Sequence, residues 1–194
     1  MHRRILSLSG AVVLVVVMGS ACSSGNDVST TASSTTTTSA PATSTAPSTA
    51  TTFTLTSSAF TDGGTIPTTY ACKGDGGVGV SLPLAWTGTP KAATTMALVI
   101  HDPDAPRPGG FTHLVTTFPA STTAFAEGAS TDGGPLQKWI PPCPPAGPAH
   151  HYQFTVYAFG PDVTVAPDAD KAAVEAQAAQ ALGTAKLTGL FAKP

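Results

Sequence analysis

A mainly β domain with peripheral helices is the fold that the larger part of this 194-residue sequence predicts. From Phe53 onward, short segments of alternating or wholly apolar residues recur between turn residues, and 19 Gly and 18 Pro punctuate the chain. A helix-favouring composition comes only late, near the C-terminus. Strands first and a helix last is the order expected of a β-rich fold.

Each element has its own signal. Phe53-Thr54-Leu55-Thr56-Ser57 alternates, and Asp62-Gly63-Gly64 reads as a turn. Leu82-Pro83-Leu84-Ala85-Trp86 is a second apolar piece, with Trp86 a core candidate. Met96-Ala97-Leu98-Val99-Ile100 is a continuous apolar run, the mark of a strand buried on both faces. Residues 114–118 mix Val and Thr, and residues 152–159 alternate aromatics with Thr and Val. The predicted helix is capped by Asp168, filled with Ala between 172 and 181, and ended by Gly183. Val174 and Leu182 give it a thin apolar stripe. Residues 185–191 then read as extended.

The first 52 residues are of another kind. His2, Arg3 and Arg4 precede an apolar stretch over 5–18, and Gly19-Ser20-Ala21 supplies small residues before Cys22. That is the pattern of a secretory signal peptide over 1–21. The Cys at the cleavage point resembles a bacterial lipoprotein signal, in which Cys22 becomes the lipidated N-terminus, although Gly19 stands where Leu is usual. Residues 23–52 are nearly all Ser, Thr, Ala and Pro, with Asp27 the one charge. Such a segment cannot bury enough apolar surface to offset chain entropy, so 22–52 is expected to be a disordered tether. Its composition also suits an O-glycosylated stalk. Residues 53–194 form the folded domain, and the expected address is the extracytoplasmic face of the cell membrane.

Charge narrows the function. The chain is only 10% charged with a formal net charge of −2, and the domain carries ten acidic against seven basic side chains. No basic field exists to neutralise phosphates, so nucleic-acid binding is disfavoured. No second apolar stretch is long enough to span a bilayer, which excludes a polytopic membrane protein. With Cys22 set aside, Cys72 and Cys143 remain in a compartment where disulfides persist. A Cys72–Cys143 bridge is expected, two buried thiols being the alternative.

Chemistry gathers in two proline-rich loops. The first is His101-Asp102-Pro103-Asp104-Ala105-Pro106, followed by Phe111-Thr112-His113. The second is Pro141-Pro142-Cys143-Pro144-Pro145-Ala146-Gly147, leading to His150-His151-Tyr152. Proline restricts both its own φ and the residue before it, so each loop is stiff. Imidazole and phenol groups donate hydrogen bonds, and nearby carboxylates orient them. A pocket for a small polar ligand is one reading. Asx-type loop bonds from Asp102 and Asp104, and a core role for His113, are the plainer ones. His101 and His151 read as surface residues.

Taken together, these segments resemble the phosphatidylethanolamine-binding (Raf kinase inhibitor-like) protein family, bacterial branch. The resemblance runs in order from Phe60-Thr61-Asp62-Gly63-Gly64-Thr65-Ile66-Pro67 and Tyr70-Ala71-Cys72-Lys73-Gly74 through Ser81-Leu82-Pro83-Leu84-Ala85-Trp86. It continues through Asp102-Pro103-Asp104-Ala105-Pro106, Phe111-Thr112-His113, Pro142-Cys143-Pro144-Pro145 and His150-His151-Tyr152 to Tyr157-Ala158. It implies a two-sheet β-sandwich-like fold with a small surface pocket for phosphate-type anions. The implied ligand-binding residues are Asp102, His113, His150 and Tyr152, with Asp104 supporting the loop. Backbone N–H groups of the loop before the paired prolines are implied to complete the site. The sequence departs from the family pattern at Pro141, where Gly is expected, at Leu114 and Trp139, and at His151, where Arg is usual.

Three functions follow. The first is a tethered, non-enzymatic binding module for a phosphate-bearing small molecule or phospholipid headgroup, with protonated His113 and His150 supplying charge and no cofactor required. The second is an inhibitor-type interaction protein acting on a protease or kinase. The third is a metal-dependent hydrolase using Asp102, Asp104, His113 and His150, although neither a zincin nor a nucleophile-elbow motif is present.

Overall fold

The computed structural model describes residues 52–130, 136 and 138–194. The signal peptide, the lipidation at Cys22 and all of the tether but Thr52 lie outside the described residues.

Among the described residues seven strands form: β1 (Thr54–Thr56), β2 (Leu84–Thr87), β3 (Thr95–Asp102), β4 (Phe111–Pro119), β5 (Ala124–Phe125), β6 (His150–Phe159) and β7 (Gly183–Phe191). They build two sheets, β1-β2-β5 and β4-β3-β6-β7, with every neighbouring pair antiparallel. The main core holds Leu55, Leu84, Trp86 and Phe125 of the small sheet together with Met96, Leu98, Ile100, Phe154, Val156 and Leu187 of the large one. Trp86 packs on Phe118 and Phe125, each at 5.3 Å between ring centroids, and its Nε1–H donates to the Thr122 carbonyl at 2.9 Å. It is a core residue, as expected.

A second apolar layer covers the outer face of the large sheet. Ala97, Val99, Tyr157 and Phe159 lie there under Val174. With apolar packing on both sides, β3 has no polar face to present, which explains the unbroken apolar run at 96–100.

The helix is much shorter than its composition predicts. It is α1 (Lys171–Ala176), followed by a separate 3₁₀ turn at Ala178–Gln180. Its cap is Asp170, whose Oδ1 accepts from the Ala173 N–H at 2.8 Å, and not Asp168. Alanine propensity favours helix without fixing its length. Only Val174 is buried in this segment, while Leu182 is largely exposed, so there is no apolar stripe to extend it.

The strands, in contrast, run past their apolar cores. β3 continues to Asp102, β4 starts before His113, and β6 starts at His150. Asp102 therefore closes a strand and does not stand free on a loop. All three extensions lie at one end of the large sheet.

Candidate functional site

At that end the inner face of the sheet changes from apolar to polar. Alternation along β6 buries His150, Tyr152 and Phe154 and exposes His151 and Gln153. On β3, Asp102 follows Ile100 on the inner side. The pairing of β3 with β4 slips between Ile100 and His101: Ile100 faces Leu114, but His101 faces Thr112. His113 is the extra residue of this β-bulge, which re-aims its side chain inward beside Phe111. The five inward residues of three strands, Asp102, Phe111, His113, His150 and Tyr152, line one cavity of about 330 Å³.

Asp102 and His150 form the fixed pair of the site. His150 Nδ1–H donates to Asp102 Oδ2 at 2.7 Å, and Asp102 Oδ1 accepts from the Asp104 N–H at 2.9 Å. Both carboxylate oxygens are thus engaged, and the second bond is the Asx-type turn expected of this loop. His150 Nε2 has no partner among the described residues.

Asp104 lies outside the cavity. Its Oδ2 accepts from the backbone N–H and the Nδ1–H of His151, both at 2.7 Å, on the exposed side of β6. These two bonds hold its carboxyl below the usual carboxylate range. Asp104 ties the first loop to the start of β6, and His151 is a surface residue.

The surroundings of His113 work against the protonated imidazole expected there. Its Nδ1–H donates to the Ile140 carbonyl at 2.8 Å, and the Ile140 N–H returns a bond to the His113 carbonyl at 3.0 Å. Burial lowers its pKa, outweighing the Ile140 bond and the nearby Asp102. Burial thus favours the neutral ring, in which Nε2 is a buried acceptor that has no partner. Tyr152 is fully buried, and its hydroxyl likewise has none. Burial, then the Asp102 charge, raises the phenol pKa, so it stays a donor.

The opposite wall is the second loop. Ile140, Pro141, Pro144 and Pro145 line it, so Pro141 leaves the cavity open. Proline has no N–H, and the Ile140 N–H is already spent on His113. The backbone donors expected on this wall are accordingly missing at 140–142. The wall is pinned from behind by the Cys72–Cys143 disulfide, with Cα atoms 5.5 Å apart, and by a bond from the Cys72 N–H to the Pro142 carbonyl at 2.9 Å.

Arg107 is the charged lining residue that sequence reasoning missed. It belongs to the first loop, and its Cζ stands 4.8 Å from the centroid of the Phe111 ring. The available signal was its position: it is the one Lys or Arg between Lys91 and Lys138, inside a loop stiffened by proline.

The four residues considered for metal binding do not converge as a ligand set. Among the described residues, the one trio of His, Cys, Asp or Glu with donor atoms within 4.8 Å of one another is Cys72, Asp75 and Cys143. There both sulfurs are committed to the disulfide. Lys193 Nζ lies 2.8 Å from Asp75 Oδ1, an ion pair whose angle gives the buried carboxylate no directed hydrogen bond.

With strand order, bulge and cavity in place, comparison with known proteins decides the family. The family model described as phosphatidylethanolamine-binding protein matches residues 56–192. The chain belongs to this family. Among its relatives, the protein named "Putative lipoprotein LppC" of Mycobacterium tuberculosis is 34% identical over 201 residues, covering 98% of this chain and 97% of the relative. The crystal structure of CT736 from Chlamydia trachomatis, described as a phosphatidylethanolamine-binding protein homologue, matches with a TM-score of 0.63 and 31% identity, over 74% of this chain and 99% of that one. Escherichia coli YbcL, described as a member of the mammalian family, gives a TM-score of 0.63 and 28% identity, over 72% and 98% of the two chains. The family's fold is the two-sheet architecture found here, and the relative named a lipoprotein matches this chain nearly end to end.

Proposed function

We propose that the domain is a non-enzymatic binding module, tethered through lipidated Cys22 to the extracytoplasmic face of the membrane, whose cavity takes a phosphate-type anion or phospholipid headgroup. The observation that carries this reading is the convergence of Asp102, His113, His150 and Tyr152, distant in sequence, on one rigid-walled cavity. Membership of a family named for phospholipid binding supports it, as does the relative named a lipoprotein. In this reading Tyr152 donates a hydrogen bond, Asp102 orients His150, and His150 Nε2 meets the ligand.

Thermal shift of the purified domain with inorganic phosphate and with phosphoethanolamine tests the site. A concentration-dependent rise in Tm, reduced in His150→Ala, supports it. No rise with either ligand, at pH 5.5 and at pH 8, overturns it. For the tether, palmitate labelling of cells expressing the full chain and its Cys22→Ala variant should label the first only.

A further inference from the structure

We propose that Arg107 holds the anionic group of the ligand and that Ile140, Pro141, Pro144 and Pro145 hold its apolar part. The inference rests on the anion-binding reading above and adds the residues that hold the two ends of the ligand.

The cavity must find positive charge or donors somewhere, and most of its lining cannot provide them. Asp102 is itself an acid with both oxygens engaged. His113 has its Nδ1–H spent on the Ile140 carbonyl, and burial disfavours its charged form. The proline wall carries no N–H at 141, 142, 144 or 145. Arg107 is the one permanent cation of the lining, and no carboxylate pairs with it among the described residues. Its guanidinium is held over Phe111, which fixes its direction while leaving its hydrogen-bonding fork free. A planar fork of this kind matches two oxygens of a phosphate at once.

The rest of the wall selects for the body of the ligand. Ile140 is 45% exposed beside the mouth, and the prolines next to it are apolar and rigid. Such a wall gives a bare phosphate nothing to bond with, but it removes the apolar part of an organic phosphate from water. A cavity of about 330 Å³ is at the small end of ligand sites, so it suits a headgroup-sized molecule or a short aryl or alkyl phosphate.

Isothermal titration at pH 8 tests both halves. The titrants are inorganic phosphate, phenyl phosphate and a soluble dihexanoyl phospholipid, against wild type, Arg107→Gln and Arg107→Lys. The expected result is tighter binding of an organic phosphate than of inorganic phosphate. Arg107→Gln should lose roughly tenfold or more of affinity for each titrant that binds, and Arg107→Lys should recover part of it. Preference between phenyl phosphate and the phospholipid tells a free organic phosphate from a lipid headgroup. An Arg107→Gln protein of unchanged Tm that titrates like wild type overturns the role of Arg107. Equal affinity for phosphate and both organic titrants overturns the role of the apolar wall. Failure of wild type to bind any of the three overturns this inference and the anion-binding reading together.

Discussion

His150 Nδ1 stands 2.7 Å from Asp102 Oδ2, and neither side chain exposes more than a tenth of its surface. A buried hydrogen bond to a carboxylate is stronger than a neutral one, and breaking it leaves a polar group without a partner. Asp102→Asn keeps the shape but weakens both of its bonds, to His150 and to the Asp104 N–H. A loss of about 1.5–3 kcal/mol is expected in urea unfolding. The exposed pair Asp104–His151 is the internal control, because solvent screens it. Asp104→Ala should cost about 1 kcal/mol or less. Equal losses in the two variants would show that burial does not distinguish the pairs.

Burial of His113 makes the fold sensitive to acid. Its folded pKa lies below its ordinary value, so between the two the unfolded chain binds a proton that the folded chain does not. Stability is therefore full above about pH 6.5 and falls as pH drops from there toward the folded pKa. His101, lowered first by burial and next by Lys171, acts in the same direction, while Asp104 acts only at lower pH. Tm measured from pH 7.5 to pH 5 should decline in wild type and decline less in His113→Asn, whose amide can still donate to Ile140. Identical slopes would mean that His113 titrates normally in the folded state.

Much of this architecture is legible in the sequence, and the exceptions have physical causes. Residues 96–100 and 152–159 announce themselves because burial on both faces, or strict alternation, leaves a periodic mark. Their ends do not, because Asp102 and His150 are polar residues facing a cavity where an apolar residue would face the core. β5 has two residues, too few for any period. The Ala-rich segment overstates its helix because propensity is local, whereas length is set by what packs beneath, here Val174 alone. Among site residues, Asp102, His113, His150 and Tyr152 are identified through resemblance to a family. The bulge that turns His113 inward breaks alternation and cannot be read from it. Arg107 escapes notice because its direction depends on Phe111, a tertiary contact that no spacing rule expresses.

The disulfide should matter to the site as well as to the fold. Cys72 and Cys143 are 71 residues apart, and closing so long a loop restricts the unfolded chain by about 4 kcal/mol in the chain-entropy picture. The Cys72→Ser/Cys143→Ser variant should lose a comparable amount in urea unfolding. The proline wall is also tied back by the Cys72 N–H to Pro142 bond, so it should loosen without the bridge. Hydrogen exchange would then show faster exchange at Cys72 and Ile140, whose N–H groups bond Pro142 and His113. Retained protection at both would mean that the prolines alone hold the wall.

Gly110 connects the two halves of the site through backbone geometry. It closes the loop that carries Arg107, with φ +71°, a left-handed conformation that side chains disfavour. A Cβ there would also collide with the Asp102 carbonyl oxygen and come within 2.8 Å of Pro103 Cα, both of them backbone atoms that cannot swing away. Gly110→Ala must therefore shift the loop or strain it, and a cost of more than about 1 kcal/mol is expected. Gly109, also left-handed at φ +78° but with open space where its Cβ would stand, isolates the conformational part. Gly110→Ala should lower Tm more than Gly109→Ala and should weaken anion binding, because moving the loop moves Arg107. Equal Tm losses, with binding intact, would place the constraint in φ alone and free the Arg107 loop from the backbone of Asp102.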